Sequence, residues 1–215
     1  MSLLVKICGL NAPAAVAAAV TGGADQIGLV FYPPSPRFVT PDQAAPLAAM
    51  VPDRVVTVGL FVDADDDAID AVLRGVPLDM LQLHGAETPE RVAEIRERFG
   101  LPVMKAIKVS DADDLEQVRG FLRAADWLLF DAKPPPGMTG ALPGGNALSF
   151  EWSLLIGHGW GRPAMLSGGL DADNLAEAVR LSGVRAVDVS SGVEDRPGRK
   201  NPDKIRDFLT LAQGL

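Results

Sequence analysis

The run Val55-Val56-Thr57-Val58-Gly59-Leu60-Phe61, with Asp63-Ala64-Asp65-Asp66-Asp67 close behind it, decides the architecture. The first stretch is apolar and β-branched without alternation, as expected of a strand whose outer face is covered by helices. The second reads as the start of a helix rather than a calcium loop, because carboxylates are favoured at the positive end of a helix dipole. Gly75 then stands where that helix should stop.

One strand and one helix form a unit, and the unit recurs in both directions along the 215 residues. The other strands are predicted at Val5–Gly9, Gln26–Phe31, Met80–His84, Val103–Val109, Trp127–Asp131, Ala164–Ser167 and Ala186–Ser190, each followed by a segment that can be helical. Asp111, and Asp171 with Asn174, supply caps, while Gly22-Gly23 and Gly100 supply stops. Repeated β/α units build either an open doubly wound sheet or a closed barrel. A count of eight favours closure. The Gly-x-Gly-x-x-Gly turn of open dinucleotide sheets is missing, since the first strand ends in Cys8-Gly9-Leu10-Asn11. The expected fold is therefore α/β, a single (β/α)8 TIM barrel over residues 1–215 serving as one catalytic domain. The Pro/Gly-rich stretch 133–146 is followed by only two more units, which makes it a long loop after the sixth strand, a lid or substrate wall, rather than a linker.

A net charge of −8 argues against a nucleic-acid or anionic-membrane partner, so an anionic ligand must be caught locally. No run reaches the roughly 18 apolar residues that cross a bilayer, and the N-terminus lacks the pattern of a secretion signal, so a cytoplasmic location is expected. One cysteine cannot make an internal disulfide, and two distant histidines with it give no zinc-like ligand set. Neither a metal nor a cofactor is expected. Monomer and homodimer are both left open.

In a barrel of this kind, polar residues at the C-terminal ends of strands converge on one pocket. Here those ends carry Cys8, Arg37, Gln82, His84, Asp131, Gly168-Gly169 and Asp188 with Ser190-Ser191-Gly192. Ser167-Gly168-Gly169-Leu170 and Ser190-Ser191-Gly192-Val193-Glu194 follow strands seven and eight, the pair of loops that holds phosphate in many barrels. Glycine lets backbone N–H groups approach an anion, and a short helix starting after Ser191 would add its positive end. Taken singly, each loop is equally well a tight turn.

Cys8 is either a small buried hydrophobe or, beside Lys6, a thiol held partly as thiolate to serve as base or nucleophile. Asp131 either caps the next segment and pairs with Lys133, or acts as an acid at the mouth. One base and one acid around a carbon acid suffice for an aldose–ketose isomerisation. His84 is either a third acid/base group or a packed, hydrogen-bonded side chain.

Together, Lys6-Ile7-Cys8-Gly9, Gly28-Leu29-Val30-Phe31, Ser35-Pro36-Arg37, Val58-Gly59-Leu60-Phe61-Val62, Leu81-Gln82-Leu83-His84-Gly85, Ser167-Gly168-Gly169-Leu170 and Asp188-Val189-Ser190-Ser191-Gly192-Val193-Glu194 resemble the phosphoribosylanthranilate isomerase family of tryptophan biosynthesis. The resemblance runs from the first strand to the eighth. It implies an Amadori rearrangement of N-(5-phosphoribosyl)anthranilate to 1-(2-carboxyphenylamino)-1-deoxyribulose 5-phosphate, with a phosphorylated small molecule as partner. It also implies Cys8 as general base, Asp131 as general acid, Arg37 at the anthranilate, Asp188 near the amino group or sugar, and Gly168, Gly169, Ser191 and Gly192 at the phosphate. Gln82 and His84 match family positions without an assigned role. The family's Gly-Gly-x-Gly segment reads Gly144-Gly145-Asn146-Ala147 here, and its Pro-Gly-x-Lys-Asp reads Pro197-Gly198-Arg199-Lys200-Asn201. Two rivals stand beside this reading. The first is the histidine-pathway isomerase on the same fold, whose base is an aspartate where this chain has Cys8. The second is a barrel that binds a phosphorylated ligand without turning it over.

Overall fold

The structure, a computed structural model, describes residues 2–135, 137–138 and 142–215. Eight parallel strands, β1 (Leu4–Cys8), β2 (Gln26–Val30), β3 (Val56–Phe61), β4 (Met80–Leu83), β5 (Val103–Val109), β6 (Trp127–Ala132), β7 (Ala164–Leu166) and β8 (Ala186–Val189), close into a barrel in chain order. Closure is made by β1 against β8, with Lys6 opposite Asp188 and Ile7 opposite Val189. The (β/α)8 expectation holds for the strands, with ends shifted by a residue or two.

Each strand alternates between two environments with a period of two. Odd-numbered side chains of β1 such as Val5 and Ile7 join the large core between the sheet and the helices, whereas Leu4, Lys6 and Cys8 face the lumen. The lower lumen is filled by Val58, Met80, Met104, Ala106, Leu129, Met165 and Ala186. One strand position higher, the inward residues turn polar: Gln82, Asp131, Ser167 and Asp188 all line the cavity at the C-terminal mouth.

The helices are α1 (Pro13–Thr21), α2 (Pro41–Ala48), α3 (Asp66–Leu73), α4 (Pro89–Phe99), α5 (Val118–Phe121), α6 (Leu175–Ser182) and α7 (Pro202–Gln213). Asp65 caps α3 by accepting from the Ala68 amide, as the acidic run implied, and Gly100 closes α4 in the left-handed conformation. Among the described residues of the ring, two positions depart from the expected repeat. After β5 there is only a 3-10 turn (Asp113–Leu115) and the four-residue α5, because Asp111 and Asp114 spend their carboxylates on nearby amides instead of letting a helix propagate. After β6 no α-helix occurs among the described residues; Pro134, Pro135, Pro143 and the neighbouring glycines cannot sustain one, and a single 3-10 turn at Trp152–Leu155 replaces it. Residues 136 and 139–141 of the expected lid lie outside the described residues. A second unforeseen element is the hairpin β9 (Glu194–Arg196) and β10 (Arg199–Lys200), turned at Gly198. The helix expected after Ser191 is one 3-10 turn, Ser191–Val193. No described helix is long and apolar enough to cross a membrane.

Candidate active site

The mouth encloses a pocket at the C-terminal face of the barrel, the place where small-molecule sites of this fold lie. Its walls bring together Cys8, Arg37, Asp131, Gly168, Gly169, Asp188 and Ser191, from strands and loops spread around the whole barrel. Gly192 packs just behind this wall, where a Cβ would come within 2.0 Å of the Leu170 carbonyl oxygen.

Cys8 ends β1 and is buried. Its partner in register on β2 is Gly28, and a Cβ there would sit 2.8 Å from the thiol sulfur, so this glycine makes the room the thiol occupies. Two residues back on the same face, the fully buried Lys6 places Nζ 2.9 Å from Asp188 Oδ1. Burial alone would lower the Lys6 pKa, but Asp188 and the Cys8 thiol outweigh it and keep the ammonium charged. For Cys8 itself burial wins: it pushes the thiol up, against the pull of Lys6. Of the two readings of Cys8, this direction favours the neutral, buried thiol, since desolvation opposes the anion more than one ammonium favours it. Lys6 is the counter-ion waiting for the thiolate when it forms.

Asp131 ends β6 on the far side of β7 and β8 from Cys8. Its Oδ1 accepts from the Ala132 amide at 3.0 Å and its Oδ2 lies 3.0 Å from His84 Nε2, whose Nδ1 lies 2.9 Å from Gln82 Nε2. Lys133, the alternative partner considered from sequence, pairs instead with Asp114 at 2.5 Å. A Cβ on Gly144 would come within 2.7 Å of Asp131 Oδ2 and 2.8 Å of the imidazole, so the loop backbone lies directly over this pair.

Gly168 and Gly169 both have positive φ, at 86° and 64°. Side chains there would strike the Ala132 amide nitrogen and the Leu148 backbone, which makes glycine obligatory at both positions. Among the described residues, none of the amides of Gly168, Gly169, Ser191 or Gly192 donates to a carbonyl or side chain. A phosphate can therefore take these donors.

Arg37 is held differently from the simple carboxylate fork expected. Its Nε and Nη2 bind both oxygens of Glu194 at 2.8 and 2.9 Å, and Nη2 also donates to the Gly145 carbonyl at 3.2 Å. Nη1 lies beside Gly145, where a Cβ would come within 2.4 Å of it. Glu194 also receives Lys200 at 2.7 Å. Burial would raise the Glu194 pKa, but Arg37 and Lys200 hold the carboxyl below its usual range. Burial pushes Lys200 down to about 8 in spite of Glu194. Its ammonium donates to the Ser190 carbonyl, and the Ser190 hydroxyl donates to the Cys8 carbonyl, so the β9–β10 hairpin is clasped to the end of β1.

Residues 5–210 match the family model described as N-(5'phosphoribosyl)anthranilate (PRA) isomerase. The chain belongs to this family. An N-(5'-phosphoribosyl)anthranilate isomerase of Rhodospirillum centenum is 60% identical over 215 residues, covering 100% of both chains. Among solved structures, the phosphoribosyl anthranilate isomerase of Thermotoga maritima superposes with a TM-score of 0.87 at 37% identity, covering 99% of this chain and 100% of that one. A phosphoribosyl anthranilate isomerase in complex with reduced 1-(o-carboxyphenylamino)-1-deoxyribulose 5-phosphate superposes at 0.85 with 36% identity, with the same coverage. The reaction of this PRA isomerase is the Amadori rearrangement of N-(5'-phosphoribosyl)anthranilate in tryptophan biosynthesis.

Sequence reasoning passed over four residues that shape this PRA isomerase site. Gly28 and Gly144 lay in recognised motifs, but the closeness of their backbones to Cys8 and to Asp131 is set by the fold and is not visible in local sequence. Glu194 and Lys200 lay in recognised motifs, yet their pairing with Arg37 spans 157 residues for Glu194 and cannot be read from local spacing.

Proposed function

We propose that Cys8 is the base and Asp131 the acid of the isomerisation, working within one catalytic domain, residues 1–215, on a substrate anchored by its phosphate. The observation that carries this reading is the mouth itself: a buried thiol, backed by a buried ammonium, and a carboxyl whose two oxygens meet the Ala132 amide and the His84 ring line the same pocket as two loops of free amides. Every one of these groups comes from a single chain, so monomer and homodimer alike would carry a complete site.

The phosphate binds the amides of Gly168, Gly169, Ser191 and Gly192, which fixes the ribose over the lumen. Asp131 gives its proton to the furanose ring oxygen as the C1–O bond breaks and the anilino nitrogen lone pair forms C=N, giving the open Schiff base. Cys8 first loses its own proton to solvent through the open mouth, and the thiolate so formed, with Lys6 as counter-ion, takes the proton on C2. The C2–H electron pair becomes the C1=C2 bond and the C=N pair returns to nitrogen. The resulting enolamine tautomerises to the ketone. Arg37 Nη1 meets the anthranilate carboxylate, and Asp188 lies beside the sugar or amino group. The histidine-pathway rival loses support, because its base is an aspartate and the β1 end here is a thiol.

The two roles separate when the Schiff base is trapped by borohydride reduction. Cys8→Ala, which keeps the acid, should accumulate trapped open-chain adduct above the level of substrate alone. Asp131→Asn should not. The opposite pattern, or trapping by neither variant while both still turn over, would remove these assignments.

A further inference from the structure

We infer that His84 is a positioning residue of this reaction: fixed by Gln82 as the neutral tautomer with its hydrogen on Nε2, it donates to Asp131 and stabilises the carboxylate left when that residue gives up its proton. The inference rests on Asp131 being the acid.

Gln82, His84 and Asp131 are all buried, and the first two ride on and just past β4 while the third ends β6. The contact therefore spans the intervening β5, on which Lys108 stands opposite Asp131 in register and Ala106 one inward layer below it. Gln82 Nε2 lies 2.9 Å from His84 Nδ1, and we take the amide N–H as the donor and the ring nitrogen as the acceptor. A neutral ring then carries its hydrogen on Nε2, which points at Asp131 Oδ2 across 3.0 Å.

The choice of a neutral donor has chemical content. An imidazolium would hold Asp131 as a carboxylate before substrate arrived, and no acid would remain. With Nδ1 accepting from the Gln82 amide, the ring presents Nε2–H to Asp131 as the ring oxygen draws the proton off that carboxyl. The Nε2–H and the Ala132 amide then receive the new charge, one on each carboxylate oxygen. The Gly144 backbone lies directly over the pair.

The test uses the intact chain with nitrogen-15 in its histidine rings, His84 being assigned against His158 by the spectrum of His84→Ala. At roughly pH 6 to 8 the ring should be neutral with the hydrogen on Nε2. His84→Ala should lower kcat on the order of 10- to 100-fold while KM moves less than about threefold. His84→Gln, whose terminal amide reaches the same point with an N–H, should recover most of that loss. An imidazolium, an Nδ1–H tautomer, or a His84→Gln variant as slow as His84→Ala would overturn the inference. Should Asp131→Asn abolish turnover while His84→Ala runs at the native rate, the acid stands and the role of His84 falls. Native turnover by Asp131→Asn would remove the acid assignment first and this inference with it.

Discussion

The base and the acid sit three strands apart around one mouth, and the barrel supports them by opposite means. On the β8–β1 side, Cys8 is held against a full ion pair, Lys6 with Asp188, both buried. On the β4–β6 side, Asp131 meets the His84 imidazole and accepts from the Ala132 amide. The difference follows from what each group must become. A buried thiol is neutral at rest and must turn anionic, so it needs a permanent cation nearby. A general acid must begin neutral, and a permanent cation beside it would strip it of its proton too early.

The largest break in this comparison comes from the base side. Lys6→Met leaves Asp188 buried without its cation and should cost about 3–5 kcal/mol of stability, read by urea unfolding, together with most of the activity. The same change on the acid side, His84→Ala, removes a neutral group and should leave unfolding much less affected. Stability losses of similar size on both sides would contradict the asymmetry.

Gly28→Ala drives a methyl group to within van der Waals overlap of the Cys8 sulfur and displaces the base without touching its charge partners. A displacement of that kind is expected to lower kcat by roughly 100-fold, with KM nearly unchanged in steady-state assays.

Direct titration sharpens the same contrast. Cys8 is the single thiol of the chain, so its thiolate absorbance can be followed against pH without interference from another cysteine. Because burial pushes its pKa up, the thiol should remain protonated through neutral pH and ionise only above the usual value of about 8.5. Deleting the Lys6 cation should move that midpoint higher still. A midpoint below the ordinary value would mean that the ammonium, not burial, dominates the site.

The smallest effect belongs to the loop over the acid. In Gly144→Ala the new methyl group meets Asp131 Oδ2 and the imidazole together, so the loop must lift and admit water. A loss on the order of tenfold in kcat/KM is expected, with the His84 tautomer as the accompanying spectroscopic check.

Much of this was legible from sequence because the barrel translates position along a strand into position in the site. Apolar runs ending in Cys8, Asp131 and Asp188 announced both the lumen and its mouth, and paired Ser/Gly turns after the last two strands announced an anion site. What was not legible depended on distance or on competition. Arg37 reads as a free fork in sequence, yet Glu194 claims two of its nitrogens from a hairpin far along the chain. The fifth and sixth helices fail because Asp111, Asp114 and a cluster of prolines offer the backbone local alternatives that periodicity does not weigh. His84 was seen as a packed side chain or an acid; the contacts on either side of its ring, one from its own strand and one from β6, give it a third role.

The most direct test of the account is the loss of anthranilate fluorescence when purified protein meets freshly generated N-(5'-phosphoribosyl)anthranilate, with Cys8→Ala and Asp131→Asn run in parallel. Rapid loss with the native chain and rates at least roughly 100-fold slower with each folded variant are predicted. Native rates from either variant would contradict the opposed thiol and carboxyl on which the mechanism stands.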